Sequence, residues 1–341
     1  MASQQNPSMR SFNENHDKES TAQESYKRYK DLITTLPTQP WGPDGDDDDL
    51  HQYHGFWFHR LPLEGIMAAR DHFVARPSDI FLVTFPKSGT TWLKALTFAM
   101  VNRNHADVVG PNHPLSMLSK LNPHECVPFL SYLYFEGRLP DLDSLPAPRL
   151  FSAHVPFSLL PKSVLTSGCR IVYLCRDPKD NFVSLWHHIF ARAPRDLSHH
   201  SLDEFFELFC SGVSMGGPIW DHALDYWRES LRRPERVMFM KYEQLKGDTG
   251  GCLKRLAEFI GCPFSEEEER EGKVEEIVGM CSFERLSGLE VNKHGRFGSV
   301  KNQTFFRRGE VGDWKSHLTP EMAERLDRIT EEKLRGSGLE F

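Results

Sequence analysis

The run Asp79-Ile80-Phe81-Leu82-Val83-Thr84-Phe85-Pro86-Lys87-Ser88-Gly89-Thr90-Thr91-Trp92-Leu93 constrains this chain more than any other stretch. Its first half is continuously apolar, the pattern of a strand buried on both faces. Its second half opens a helix, and a lysine, a glycine and paired hydroxyls stand at the turn between them. Such a loop offers backbone N–H groups, the positive end of a helix and one mobile ammonium to a bound anion. It differs from the common triphosphate loop, Gly-x-x-x-x-Gly-Lys-Ser/Thr. Here the lysine precedes the glycine and no glycine opens the loop, so the cradle is shorter and the chemistry is different.

The same alternation recurs along the chain. Short apolar strands are predicted at 80–84, 150–153, 170–174 and 237–241, with helical patterns at 91–101, 179–188 and 252–260. This order predicts an α/β fold, a single domain with a central parallel β-sheet flanked by helices and a P-loop-like anion loop. A further strand is expected at 56–58 and helices at 26–36 and 63–75. Residues 1–24 are polar and read as a disordered N-terminal segment, leaving 25–341 as the folded domain. The acidic run Asp46–Asp49 reads as a solvated loop. Later come a charged helix at 264–270, a short one at 282–289, a polar loop at 292–304 and a helix starting at Thr319-Pro320-Glu321.

Composition narrows the partners. A net charge of −7 argues against broad binding to nucleic acid or an anionic membrane, so any anion must be captured by a local basic pocket. The seven cysteines, an odd number without a C-x-x-C pair, read as reduced thiols of a cytoplasmic protein. No apolar run approaches membrane-spanning length. The chain is expected to be soluble.

Three further places carry chemistry. Arg176 stands at the end of the 170–174 strand, where open α/β sheets bind ligands, with Asp177 as helix cap, Pro178 in the first turn and Ser184 about two turns on. Arg307-Arg308-Gly309 combines two guanidiniums, which grip a phosphate bidentately, with a glycine that lets backbone close over it. His154, in Phe151-Ser152-Ala153-His154-Val155-Pro156, sits just past a strand end and before a proline, placed to act as a general base. Each also has a bland reading: a capped helix with a surface ion pair, a basic turn on an acidic protein, one histidine among 16. Their joint occurrence and order decide between the two.

Together these motifs resemble the cytosolic sulfotransferase family over about residues 55–335. Tyr29-Lys30-Asp31-Leu32-Ile33 and Ala153-His154-Val155-Pro156 look most like its plant branch, which includes flavonol sulfotransferases. The resemblance implies transfer of a sulfuryl group from 3′-phosphoadenylyl sulfate (PAPS) to a hydroxyl of a small acceptor: a flavonoid, a steroid or another plant metabolite. It implies that Lys87, Ser88, Gly89, Thr90 and Thr91 hold the 5′-phosphosulfate. Trp92 and Phe283, with Ser282 beside it, would flank the adenine, and Tyr242 would meet its edge. Arg176, Ser184, Arg307, Arg308 and Gly309 would bind the 3′-phosphate. His154 would take the acceptor proton during an in-line displacement at sulfur, Lys87 would stabilise the leaving oxygen, and no metal would be needed.

Two departures from the family pattern stand out. Ser152 occupies a position where animal members often carry lysine, and Pro320 replaces the valine of the family's dimer motif, which points to a monomer. The rival readings are a P-loop kinase-like enzyme using ATP and a non-catalytic protein binding PAPS or its product PAP. Phe157, Trp186, His187, Phe190, Trp220 and Tyr226 either line an aromatic acceptor pocket or belong to the core.

Overall fold

The computed structural model describes residues 23–41, 49–103, 114–190 and 202–341. A four-stranded parallel sheet organises it. Strands β4 (Ile80–Thr84), β5 (Leu150–Ala153), β6 (Arg170–Cys175) and β7 (Val237–Lys241) lie in the order β5-β4-β6-β7. Strand β4 is central, with Val83 opposite both Ala153 and Tyr173. Every residue of β4 is buried, and the pleat explains its unbroken apolar run. Phe81 and Val83 enter one core with Phe151, Ile171 and Tyr173, while Ile80 and Leu82 enter the other with Val172, Leu174 and Met240.

Helices cover both faces. Arg60–His72 and Ile219–Arg232 supply Leu63, Ile66, Ala223 and Tyr226 to the first core. Thr90–Val101 and Thr249–Ile260 supply Leu93, Leu96, Leu253 and Leu256 to the second. A third cluster joins the helices Pro178–Phe190, Leu202–Cys210 and Pro320–Leu334 through Phe182, Phe205, Phe209 and Leu326. Burying each large apolar side chain stabilises the fold by about 1.5–3 kcal/mol before chain entropy is counted. At the base of the sheet, Arg149 grips Asp79 with two bonds of 2.7 and 2.6 Å, both side chains buried, which ties β5 to the start of β4.

The expected strands are all present, with the 56–58 and 170–174 strands each one residue longer. Beside the main sheet lies a small antiparallel one formed by β1 (Thr38–Gln39), β2 (Leu50–Tyr53) and β3 (Phe56–His59). Residues 23 and 24 belong to a helix over 23–33 rather than to a disordered segment; residues 1–22 and the acidic positions 46–48 lie outside the described residues.

The expected loop at 292–304 is instead the end of the helix Glu290–His294, a hairpin of β8 (Arg296–Phe297) and β9 (Val300–Lys301), and a 3-10 turn Asn302–Phe305. Two of its polar residues, Asn292 and Asn302, are buried and bond inward. Asn292 donates to the Leu286 carbonyl and accepts from Asn122, and Asn302 donates to the Val291 carbonyl. Composition suggested solvent; the side chains satisfy buried backbone. The charged helix starts at Glu266, with Ser265 and Glu268 forming a capping box, and Thr319 caps the last helix ahead of Pro320. All seven cysteines are free of disulfides.

Candidate active site

The carboxyl ends of β4, β5, β6 and β7 converge on a cavity of about 520 Å³. The loop after β4 turns through two positive φ angles, 67° at Lys87 and 103° at Gly89. Gly89 also admits a close approach: a Cβ there would stand 2.7 Å from the Tyr242 ring and 3.2 Å from Leu174. Asn181 holds the loop from beneath, its Nδ2 donating to the Pro86 carbonyl at 2.8 Å and to the Ser88 hydroxyl at 3.1 Å. Thr90 shares a 2.6 Å hydrogen bond with Thr84. The hydroxyl of Thr91 lies 3.1 Å from Nε2 of His124.

Lys87 lines the cavity, with Nζ 3.3 Å from Nδ1 of His188. Burial, helped by the positive charges of Arg176 and Arg307, pushes its pKa down to about 7.

His154 follows β5. Its Nδ1–H donates to the Thr84 carbonyl at 2.8 Å, which leaves Nε2 as the basic nitrogen. Burial lowers its pKa to about 3; the Thr84 hydrogen bond opposes this, and Lys94 and Lys87 add to it. The imidazole is neutral, the form that can accept a proton.

Arg176 follows β6. It donates to the Glu310 carbonyl at 2.8 Å and lies 4.5 Å over the Tyr242 ring. Asp177 caps the next helix by accepting from the Lys179 N–H at 2.8 Å. Ser184 lines the cavity two turns along that helix. Across from it Asp313 pairs with both Arg307 and Arg308, at 2.5 and 2.6 Å. Gly309, at φ 67°, leaves room for Phe283, whose ring would be 2.7 Å from a Cβ. Asp180 joins the two basic segments: its carboxylate accepts from the Gly312 and Trp314 N–H groups at 2.7 and 3.0 Å, with Arg176 at 3.7 Å.

The structure therefore gathers Lys87, Gly89, Thr90, Thr91, Trp92, His154, Arg176, Ser184, Tyr242, Phe283, Arg307, Arg308 and Gly309 around one cavity. Two expected residues stand apart from its wall. Ser88 is fully buried and bonded to Asn181, and Ser282 caps the helix Phe283–Gly288 by accepting from the Arg285 N–H. The aromatics left open between pocket and core divide. Of the six candidates His187 lines the cavity, while Tyr226 stacks on Tyr173 at 4.3 Å and Trp220 bonds Thr330 in the core. Their shared helix turns Tyr226 toward the sheet and Trp220 into the third cluster, beside Phe209. The aromatic wall is built instead by Phe129, Tyr132, Phe297 and Phe305.

Sequence reasoning also missed His124, Lys94 and Asn181. The signals present were a capping-box start at Asn122-Pro123-His124-Glu125 and a lysine one helical turn past Thr91.

Residues 77–338 match the family model described as the sulfotransferase domain. The chain belongs to the sulfotransferase family. It is 48% identical over 312 residues to cytosolic sulfotransferase 12 of Arabidopsis thaliana, covering 91% of this chain and 93% of that one. It is 47% identical to cytosolic sulfotransferase 15 of the same plant, covering 92% and 87%. Among solved structures it resembles a putative steroid sulphotransferase of Arabidopsis thaliana, with a TM-score of 0.71, 41% identity and coverage of 91% and 94%. A mouse sulfotransferase complexed with PAP gives a TM-score of 0.64 at 28% identity, covering 84% and 95%. The resemblance to the plant branch and the parallel α/β fold are borne out, and the chain is a PAPS-dependent sulfotransferase rather than a triphosphate enzyme.

The side chains present fit such a donor. At the basic end of the sulfotransferase cavity, Nε of Arg176 and Nε of Arg307 are buried with no hydrogen-bond partner among the described residues, as expected where an anion completes the site.

Proposed function

We propose that this sulfotransferase transfers the sulfuryl group to a hydroxyl of a small, flat, largely apolar acceptor, with His154 as general base. PAPS supplies an activated sulfuryl group. Lys87, with the Gly89–Thr91 turn, neutralises charge on the oxygen that departs from sulfur, and Trp92, Tyr242 and Phe283 hold the base. Arg176, Ser184 and the Arg307–Gly309 turn take the 3′-phosphate. The orientation of His154 carries the reading. The Thr84 carbonyl holds its Nδ1–H and keeps Nε2 basic, in the same cavity as Lys87. Burial is the main cause of this histidine's low pKa, and negative charge brought by the donor offsets the part that Lys94 and Lys87 add.

The acceptor end is apolar and flat-walled, lined by Phe129, Tyr132, Phe297, Phe305 and Met215, with the Phe129 ring 4.7 Å from that of His154. That shape suits a flavonoid, a steroid or another fused-ring alcohol. The chain is proposed to work in the cytoplasm, as its relatives' names say of them. It is proposed to work as a monomer, because Pro320 has no N–H to give a partner.

Labelled PAPS offered with a panel of such alcohols tests the acceptor class. His154→Ala should keep PAP affinity within about threefold and lose at least about a hundredfold in turnover. Near-normal turnover would remove His154 from the base role, and a blank with every alcohol would remove the acceptor class.

A further inference from the structure

Lys94 is a lysine where none is expected. It lies one turn inside the Thr90–Val101 helix, is 0% exposed, and has no carboxylate partner among the described residues. Its Nζ stands 2.9 Å from Nδ1 of His124 and 3.4 Å from the centre of the Phe129 ring. The other nitrogen of the same imidazole, Nε2, is 3.1 Å from the Thr91 hydroxyl. His124 is held in place by the Asn122 helix cap and stacks on Phe129, 5.2 Å between centroids. A buried amine, an imidazole and a phosphate-loop threonine thus form one hydrogen-bonded line.

Lys94 has an N–H to give along that line in either protonation state. A ring face attracts N–H hydrogens, so one N–H of Lys94 faces Phe129 and another is available to Nδ1 of His124. An ammonium can only donate, and a neutral amine can donate as well. With Nδ1 of His124 accepting from Lys94, the ring proton sits on Nε2 and is donated to Oγ1 of Thr91. The Thr91 hydrogen is then free to turn into the cavity. The reverse order would turn that hydrogen toward His124 and present an oxygen lone pair to an anion.

We propose that Lys94 and His124 are positioning residues that fix Thr91 as a hydrogen-bond donor to the 5′-phosphate end of the donor nucleotide. This rests on the reading of the Lys87–Thr91 turn as the phosphosulfate cradle. His124 is also the opposite tautomer to His154: one ring offers a hydrogen at Nε2, the other a lone pair.

Calorimetric titration of PAP into Thr91→Val, His124→Phe, His124→Gln and the Thr91→Val/His124→Phe double variant tests the relay. His124→Phe should weaken PAP about five- to tenfold, the scale of one lost hydrogen bond to an anion. Gln places an amide N–H near the lost Nε2–H and should recover most of that. The double variant should be no weaker than the weaker single one, because both break the same link. Lys94→Met should match His124→Phe. Nitrogen-15 NMR should show His124 protonated at Nε2. Unchanged PAP affinity in His124→Phe, multiplying effects in the double variant, or an Nδ1–H tautomer would each overturn the relay while leaving the cradle intact. Failure of the unaltered chain to bind PAP would overturn the cradle and the relay with it.

Discussion

Asp180→Asn is a nearly isosteric change with a disproportionate expected effect. The carboxylate is 1% exposed and uses both oxygens on backbone N–H groups of the segment that carries Arg307–Gly309, at 2.7 Å from Gly312 and 3.0 Å from Trp314. An amide keeps one of those acceptors and turns an N–H donor toward the other N–H. One charge-assisted bond is lost, worth about 1.5–3 kcal/mol, and a buried donor is left facing a donor. The neighbouring anion of Arg176, 3.7 Å away, is lost as well. If about 1.5–3 kcal/mol falls on the closed position of this segment, the 3′-phosphate contacts weaken by roughly 10- to 100-fold. The assay is a ratio: affinity for PAP against affinity for adenosine 5′-phosphate, which lacks the 3′-phosphate. The variant should lose PAP affinity and keep the monophosphate's, so the ratio shrinks. An unchanged ratio in a folded variant would show that Asp180 does not hold the two basic segments together. An equal loss for both nucleotides would place its effect elsewhere.

Gly89→Ala puts a Cβ at φ 103° and 2.7 Å from the Tyr242 ring, strain of about 1–3 kcal/mol; PAP affinity should fall at least about fivefold, and wild-type affinity by calorimetry would contradict the close approach. Lys87 has a pKa near 7 in the free site, lowered by burial and by Arg176 and Arg307. A bound anion raises it, so above pH 7 the complex holds more protons than the free chain. PAP binding at pH 8 should therefore take up a proton, and affinity should fall as pH rises from 7. Calorimetry in two buffers of different ionisation enthalpy reads this directly, and proton release would contradict it. His154, neutral above about pH 3, should add no acid limb to kcat/KM between pH 5 and 7; such a limb that vanishes in His154→Gln would show the free imidazole to be far more basic than its burial implies.

Local sequence carried the sheet and the basic end of the site. Strand β4 was legible because burial on both faces leaves an unbroken apolar run, and the helix after β6 because Asp177 and Pro178 cap it. The arginines were legible as a set: two segments, far apart in sequence, each bring guanidiniums to a strand end or a glycine turn. The aromatic wall of the cavity was not legible. Trp220 and Tyr226 have the composition of a pocket, but the helix Ile219–Arg232 buries both in the core. Phe129 and Phe297 come from short elements whose local sequence gives no sign that they meet.

The sequence by itself determined the strand order of chemistry: an anion loop, a histidine past a strand, an arginine before a helix, a basic turn near the end. These follow from periodicity, capping and the φ freedom of glycine, all of which act within a few residues. Only the tertiary structure decided which atoms are available. It turned Ser88 toward Asn181, set the tautomer of His154 through the Thr84 carbonyl, joined Lys94 to His124 across 30 positions and Asp180 to Trp314 across 134. Hydrogen bonds are directional, and which partner each polar atom meets depends on how distant segments pack.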